Sequence, residues 1–281
     1  MTTLMQLVKL VLDDAYGEIL PGPISPDDQI KAALQTLDGS YRELMNPQRV
    51  PIDYSNPATR FAYIYKYTVA HADYIRQVIV NVPSLRVLFQ RQAATVSCLG
   101  GGPGSDFLGI MKYMLCCGSN TSLGAFIFDK ERAWGDSWSE VARQLDAPFR
   151  YFPAWQQMDV TNCAEWNSYK KFLKSDLFTL CYFVSELWSL QEPASQFLVH
   201  CFQQAQPGAQ ILYIDNNDRN GRFVQWFERI VGGCNYDLIH GCAGDMVFEV
   251  NEEKTDLEPY YTRFGWVKRK GNVAVRVAIK R

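Results

Sequence analysis

Residues 95–106 run Thr95-Val-Ser-Cys-Leu-Gly-Gly-Gly-Pro-Gly-Ser-Asp106, an apolar strand pattern followed by four glycines and a helix-like segment. Glycine has no Cβ and adopts positive φ freely, so this run permits a sharp turn between strand and helix. Main-chain amides at the start of the helix then become available to polar ligand groups. The stretch therefore predicts a site in which the main chain itself contacts a ligand, although a glycine-rich turn without a ligand is the plain alternative.

The spacing of the glycines bears on the kind of ligand. A dinucleotide fingerprint has the form G-x-G-x-x-G/A, in which the third small residue lets helix and strand pack closely. That third position is Ser105 when counted from Gly100, and Phe107 when counted from Gly102. The run has the form G-x-G-x-G instead, with Pro103 before the last glycine. It resembles motif I of class I S-adenosylmethionine-dependent methyltransferases, where G-x-G-P-G after a buried strand is a common form.

The resemblance extends from Thr95 to the C-terminus and implies both a fold and a cofactor. The implied fold is α/β, with a doubly wound, mostly parallel seven-stranded sheet, a C-terminal antiparallel hairpin and an N-terminal helical cap. The implied cofactor is S-adenosylmethionine. Cys98 departs from the pattern, since many members carry an acid two positions before the first glycine. The resemblance assigns cofactor contacts in and after the turn to Gly100, Gly101, Gly102, Gly104 and Asp106.

The chain divides at about residue 92 into two parts with different patterns. Residues 1–92 have caps and helical apolar spacing, which predicts a helical cap or substrate region. Residues 93–281 alternate strand-like and helix-like runs, which is typical of βαβ units and predicts a Rossmann-like cofactor-binding domain. The predicted strands are residues 94–99, 124–129, 149–152, 177–184, 209–215, 246–250 and 273–280. No helix is predicted between the last two strands, which therefore pair antiparallel.

Composition narrows the class of protein. With 281 residues, of which 47% are apolar, the chain is long enough to bury a large core. No apolar run reaches the length that spans a bilayer, and the N-terminus lacks the features of a signal peptide. A net charge of −2 provides no general attraction for nucleic acid. The eight cysteines include no C-x-x-C pair, so we expect free thiols, no metal and a cytoplasmic or nuclear location.

Further cofactor residues are implied at the ends of later strands. Asp129 ends the second strand, where a carboxylate can hold both hydroxyls of a ribose, and Lys130 follows it. Capping of the next helix is the alternative role for Asp129. Asp159 and Val160 are assigned to the adenine, although Asp159 equally fits a helix N-cap. Tyr182, near the end of the fourth strand, is the last cofactor candidate.

One face of a predicted helix in the cap carries a polar and aromatic stripe. Its members are three or four residues apart and therefore share a face. They are Arg60, Tyr63, Tyr67, His71 and Tyr74. A histidine titrates near neutral pH and suits the role of general base, so His71 and Tyr67 are catalytic candidates. Arg60, Tyr63 and Tyr67 are candidates for binding the acceptor, and packing of the cap onto the sheet is the alternative for the whole stripe.

The ends of the fourth and fifth predicted strands supply the remaining candidates. Ser185 is a catalytic candidate, and Glu186 and Asn216 are candidates for acceptor binding. Methyl transfer needs little from the protein beyond alignment of the reactants, so the acceptor leaves a weak mark on the sequence.

The activity expected from these features is methyl transfer from S-adenosylmethionine to oxygen or nitrogen of a small molecule or protein. No Asn/Asp-Pro-Pro-Tyr/Phe quartet is present, which argues against methylation of nucleobase amino groups, and no Pro-Cys pair suits attack by cysteine on cytosine. Three alternatives stay open: a non-catalytic relative acting in interaction or assembly, an RNA methyltransferase, and a nicotinamide oxidoreductase.

Overall fold

Seven strands form one sheet within the residues that the computed structural model describes, namely 3–46, 48–166, 170–248 and 257–281. They are β1 (Ala93–Leu99), β2 (Ser122–Asp129), β3 (Tyr151–Gln157), β4 (Leu177–Cys181), β5 (Gln210–Asn216), β6 (Tyr236–Val247) and β7 (Lys270–Lys280).

The order of the strands across the sheet is β3-β2-β1-β4-β5-β7-β6. Strands β1 to β5 are parallel to their neighbours, whereas β7 runs antiparallel to both β5 and β6. This confirms the predicted fold class, a mostly parallel, doubly wound sheet that ends in an antiparallel pair, as in class I methyltransferases. The order reverses between β1 and β4, and ligands of open α/β sheets bind at the carboxyl ends of the strands beside such a reversal.

Helices cover both faces of the sheet. They are α1 (Leu4–Gly17), α2 (Pro26–Arg42), α3 (Pro57–Tyr63), α4 (Val69–Asn81), α5 (Pro83–Leu88), α6 (Ser105–Cys117), α7 (Trp134–Gln144), α8 (Gln191–Gln204), α9 (Arg222–Gly233) and α10 (Glu258–Phe264). Helices α1 to α7 and α10 contribute to the core on one face, and α8 and α9 to the core on the other. Strand β5 shows why: Leu212 and Ile214 point into the first core, Ile211 and Tyr213 into the second.

The N-terminal helices are packed onto the sheet. Helix α4 lies against α6, where Gly109 of α6 lets the backbones approach: a Cβ built there would lie 2.3 Å from the carbonyl oxygen of Ala72. A π-helical turn, Ile64–Thr68, joins α3 to α4. No strand occurs among the described residues before Ala93, as the sequence indicates. Buried residues on both sides of residue 92 share one core. The division of the chain into two domains at that residue remains a prediction.

Several strand bounds differ from the sequence-based expectation; the third strand, for example, is Tyr151–Gln157 instead of 149–152. Strand β4 ends at Cys181 instead of continuing to residue 184, because Tyr182 has a φ of +57°. The sixth strand is Tyr236–Val247 instead of 246–250, of which Glu249 and Val250 lie outside the described residues. This strand lies at the sheet edge and is largely exposed, so it lacks the apolar pattern of a buried strand.

The connection between the last two strands contains a helix, contrary to the prediction. Helix α10 is short and begins with a proline at its first turn. Its Tyr260 ring packs edge-on against Phe61 of α3, with centroids 5.5 Å apart. A helix as short as α10 has little stability of its own, so its packing against the N-terminal helices helps to stabilise it.

Candidate cofactor and acceptor site

A cavity of about 260 Å³ lies at the carboxyl ends of β1, β2, β3 and β4. Its floor includes the glycine turn after β1, and one wall is residues 128–131 at the end of β2. Residues 49–54 of the N-terminal part, named here the cover segment, also line the cavity, through Arg49, Pro51, Ile52 and Tyr54. The site therefore combines the sheet edge with the N-terminal region.

The four glycines of the turn have different roles. Gly100 has a φ of +65°, and a Cβ built on it would lie 2.1 Å from the ring of Phe183, so a larger residue has no room. Gly102 has a φ of +48°, and its Cβ would come no closer than 3.7 Å, to Trp134. Both line the cavity, whereas Gly101 and Gly104 do not and instead build the turn. Gly102 is therefore the glycine whose missing side chain leaves space beside the cavity.

Asp129 holds this turn while lining the cavity. Its Oδ2 accepts a hydrogen bond of 3.1 Å from the Gly102 amide, and its Oδ1 accepts one of 3.0 Å from the Glu131 amide. Each carboxylate oxygen can accept a further hydrogen bond. Burial raises the pKa of Asp129 to about 6, so the carboxylate is mostly ionised at neutral pH. It is therefore placed to accept hydrogen bonds from two neighbouring hydroxyls of a ligand.

The end of β3 brings Asp159 and Val160 to the same cavity. Asp159 Oδ1 accepts hydrogen bonds from the amide of Thr161 (2.8 Å) and from its hydroxyl (2.6 Å). Lys130 also lines the cavity, and its ammonium lies 3.1 Å from Asp159 Oδ2. Asp159 therefore caps a turn, not the helix that the alternative suggested, and borders the cavity as well.

Asp106, which is predicted to contact the cofactor, is not among the residues that line the cavity. It is 2% exposed, and its Oδ2 accepts a 2.5 Å hydrogen bond from the hydroxyl of Thr179 on β4. Burial raises its pKa to about 7. The first turn of α6 packs against the sheet, so its carboxylate points into the interior. Cys98 is likewise buried, and burial raises the pKa of its thiol.

Only part of the aromatic stripe faces the cavity. Adjacent rings of Tyr63, Tyr67, His71 and Tyr74 have centroids 5.4 to 6.4 Å apart, so these four form a row. Tyr63 alone of the row lines the cavity. The hydroxyl of Tyr67 donates to Asp38 at 3.2 Å, away from it. Tyr67 is therefore not placed for catalysis or acceptor binding in this cavity.

Arg60 is not part of this row of rings, and its side chain instead contacts the cover segment. Its Nη1 donates to the carbonyl oxygens of Tyr54 (3.0 Å) and Ser55 (2.8 Å), and its Nη2 lies 3.1 Å from Glu18 Oε2. Both terminal nitrogens of the Arg60 guanidinium therefore interact with oxygen atoms of the protein itself. Arg60 holds the segment that carries Tyr54, and acceptor binding by Arg60 stays a prediction.

His71 is buried behind the cavity. It is 3% exposed, and its Nε2 has no hydrogen-bond partner among the described residues. Burial, followed by the positive charge of Lys268, holds the pKa of His71 well below its usual value. The ring stacks on Tyr182, which lines the cavity, whereas His71 itself is not among the lining residues. These features do not suit His71 to the predicted role of general base.

Of the predicted site residues near the ends of β4 and β5, some line the cavity and others do not. Tyr182 and Glu186 line the cavity. Ser185 and Asn216 do not: the Ser185 amide donates to Asp215 Oδ2 at 2.8 Å, and Asn216 Nδ2 donates to Ser185 Oγ at 3.1 Å. The latter two fasten the strand ends together, so the roles predicted for them in catalysis and acceptor binding are not supported by their positions.

Several lining residues were not singled out from the sequence. The cover segment supplies Arg49 and Tyr54, whose irregular, proline-containing surroundings show no periodicity. Trp134 and Phe183 follow the predicted site residues Lys130 and Tyr182 closely in the sequence. Their apolar character alone indicates only a place in the core. Proximity to Asp129 or Tyr182 was the one sequence signal available for them.

Comparison with solved structures finds similar folds. The chain resembles a SAM-dependent methyltransferase from Methanosarcina mazei (11% identity, 71% of this chain and 97% of that chain, TM-score 0.47). It also resembles an S-adenosylmethionine-dependent methyltransferase from Clostridium acetobutylicum (10% identity, 88% and 98%, TM-score 0.44). A third likeness is to the CurJ carbon methyltransferase (14% identity, 92% and 72%, TM-score 0.48). Comparison with protein-family models and with curated sequences finds no match.

The strand order and the cavity beside its reversal define the class: a Rossmann-like α/β protein with the class I methyltransferase fold. None of the helices in the described ranges has the length and apolar character needed to cross a membrane.

Proposed function

We propose that this chain is a methyltransferase that uses S-adenosylmethionine and acts on oxygen or nitrogen of a small acceptor. The observation that carries the proposal is the hydrogen bond from the Gly102 amide to Asp129. It brings a glycine with open space at its Cβ position and a carboxylate with free acceptor capacity to one cavity. Open space beside the main chain next to a carboxylate acceptor suits a nucleoside with a polar amino-acid tail.

The lining residues fit the parts of this cofactor. Asp129 would hold the ribose hydroxyls, and Val160 and Met158 would offer an apolar surface to the adenine. Gly100, Gly102 and Tyr182 would border the methionine end. When bound, S-adenosylmethionine supplies an electrophilic methyl group. The chain's own contribution is to exclude water with the cover segment and to align the acceptor, which is an effect of orientation.

A small acceptor is favoured over a protein or RNA by the way the cavity is covered. Arg49 and Tyr54 of the cover segment close it from the N-terminal side, and Tyr63 from α3 lies beside them. We also infer a reducing compartment, the cytoplasm or nucleus, because all eight cysteines are free thiols and four of them are buried.

Titration calorimetry with S-adenosylmethionine, S-adenosylhomocysteine and NADH tests the cofactor. We expect both sulfur compounds to bind and NADH not to bind. The Asp129→Asn variant replaces one acceptor oxygen by a donor and should weaken binding by about tenfold or more, which corresponds to about 1.4 kcal/mol. Asp237→Asn, on the exposed edge strand β6, is the matched control and should bind as the wild type does.

The alternatives give different results in the same titration. Binding of NADH alone would indicate a nicotinamide oxidoreductase. Binding of none of the three ligands by a folded protein would contradict the proposal and favour a non-catalytic interaction protein.

A further inference from the structure

Glu186 and Glu131 are the two carboxylates of the cavity that accept a single hydrogen bond each among the described residues, and Glu186 is the one beside a positive charge. Asp129 accepts two main-chain hydrogen bonds, Asp159 is held by Thr161 and Lys130, and Glu131 Oε1 accepts from the Ala133 amide. Glu186 Oε1 accepts a 3.1 Å hydrogen bond from the hydroxyl of Tyr41. Its Oε2 has no donor among the residues that the structure describes.

Arg49 brings the opposite charge to the same cavity. Its Nε is buried and has no hydrogen-bond partner among the described residues. Its positive charge lowers the pKa of Glu186, yet the two side chains form no ion pair within 4.0 Å in the described part of the chain. Arg49 is half-buried and its Nε makes no hydrogen bond, so an anionic group of a ligand in the cavity could supply the missing acceptor.

Aromatic rings line the space beside these two charges. The rings of Tyr54 and Trp134 have centroids 5.1 Å apart, and those of Tyr63 and Trp134 are 5.4 Å apart. The hydroxyl of Tyr54 lies 2.8 Å from that of Tyr41, which extends the hydrogen-bonded chain from Glu186. This wall favours a flat, aromatic ligand body, because ring contacts add to the gain from burial.

We propose that the acceptor is a small aromatic anion with an O–H or N–H nucleophile, that Arg49 binds its anionic group, and that Glu186 takes the proton of its nucleophile. This inference rests on the proposed function and adds the acceptor class and the base. In the transfer, a lone pair of the nucleophile forms the bond to the methyl carbon, and the carbon–sulfur bond breaks with its electrons moving to sulfur. The displaced proton passes to Glu186 Oε2.

Burial places the pKa of Glu186 at about 7, in the range that suits a general base at neutral pH. The ionisable groups that act on it are Arg49, whose positive charge favours the carboxylate, and Asp129 and Asp215, whose negative charges oppose it. Tyr41 favours the carboxylate through its hydrogen bond. His71 has no such position, so Glu186 replaces it as the candidate base.

The anion site is tested by binding of 4-hydroxybenzoate and 4-hydroxybenzamide to the complex with S-adenosylhomocysteine. Both probes have a phenol, and only the first has a carboxylate. We expect the wild type to prefer the benzoate by about tenfold or more. Arg49→Met should lose this preference, and Arg219→Met, which alters an exposed arginine outside the cavity, should keep it.

The carboxylate of the cofactor is a second source of the same chemistry. To distinguish the two, S-adenosylhomocysteine is compared with 5′-methylthioadenosine, which lacks the amino-acid end. If Arg49→Met reduces the affinity of the former to that of the latter, Arg49 serves the cofactor and the acceptor proposal is overturned. Equal affinity of the wild type for the two phenols, or no binding of either, overturns it as well.

The base is tested by the pH dependence of benzoate binding. A phenol donates to an ionised Glu186, so wild-type affinity should fall as the pH drops below about 7. Glu186→Gln should remove this dependence and abolish methyl transfer while S-adenosylhomocysteine still binds. Tyr41→Phe should move the midpoint to higher pH, because the carboxylate loses a donor.

The remaining outcomes separate the two proposals. A pH dependence that persists in Glu186→Gln shows that another group takes the proton. Failure of S-adenosylhomocysteine to bind the wild type instead removes the proposed function itself, and with it the basis of the inference.

Discussion

His71 stacks on Tyr182, with ring centroids 4.0 Å apart and ring planes inclined by 17°. The contact joins α4 to the end of β4, where Tyr182 has a φ of +57°, an unfavourable conformation for a bulky residue. The ammonium of Lys268 lies 4.7 Å from the centroid of the Tyr182 ring. A residue of the cavity lining is thus held in a strained conformation by groups behind it.

Replacement of His71 distinguishes packing from catalysis. We expect His71→Phe to keep the stacked ring, and therefore most of the stability and cofactor affinity. His71→Ala leaves a cavity and should lower the free energy of unfolding by about 2–5 kcal/mol. Urea denaturation and calorimetric titration measure the two effects. If His71→Phe folds and binds the cofactor but loses all methyl transfer, the imidazole has a chemical role after all.

Alanine at two glycines of the turn should lower the stability by different amounts. A methyl group on Gly102 has space, so Gly102→Ala should fold with a cost of about 1–2 kcal/mol for the left-handed backbone and weaken cofactor binding. On Gly100 the methyl would overlap the Phe183 ring, so Gly100→Ala should be destabilised further. Thermal unfolding and calorimetry compare them. Equal loss of stability in both variants would show that the opening at Gly102 is not real.

The stability of the protein should depend on pH through Asp106. Its pKa is raised from 3.8 to about 7 by burial, so between these values the folded state keeps a proton that the unfolded state has lost. Its contribution to stability is therefore present at low pH and lost as pH rises towards about 7. Asp106→Asn should reduce the difference in unfolding free energy between about pH 5 and about pH 8.

Other buried groups provide the control for that experiment. Glu186 and Asp215 also have raised pKa values and act in the same direction, whereas neutral His71 acts in the opposite one. The comparison is therefore made between variant and wild type at each pH. An unchanged pH dependence in Asp106→Asn would mean that this carboxyl is ionised in the folded protein.

Removal of the Arg60 side chain should loosen the cover segment. Arg60→Met leaves the carbonyl groups of Tyr54 and Ser55 without their donor and Glu18 without its ion pair. We expect a loss of about 1–3 kcal/mol in stability and weaker binding in the cavity. Hydrogen exchange of residues 49–55 should rise in the variant. Arg263→Met, which removes a half-buried ion pair to Asp27 outside this segment, is the control and should leave that exchange unchanged.

The parts of this protein that could be predicted from its sequence are those that depend on neighbours in the chain. Apolar runs indicated the parallel strands, because strands buried on both faces carry that signal in their own sequence. The glycine run forms the connection from β1 to α6, and Asp129 ends β2. Both line the cavity because the strands that precede them end there. The exposed edge strand β6 lacked such a pattern and was misplaced.

The side chains that face the cavity depend on contacts between distant segments. Tyr41 and Glu186 are 145 residues apart, and Arg49 lies in an irregular segment. Arg60 and Asp106 were predicted at the site from their positions in the sequence. In the structure Arg60 interacts with Tyr54, Ser55 and Glu18 instead. Asp106 accepts a hydrogen bond from Thr179. Helical and strand periods specify which face of an element is apolar, whereas the direction of a polar side chain is set by the partner that satisfies it once the elements have packed.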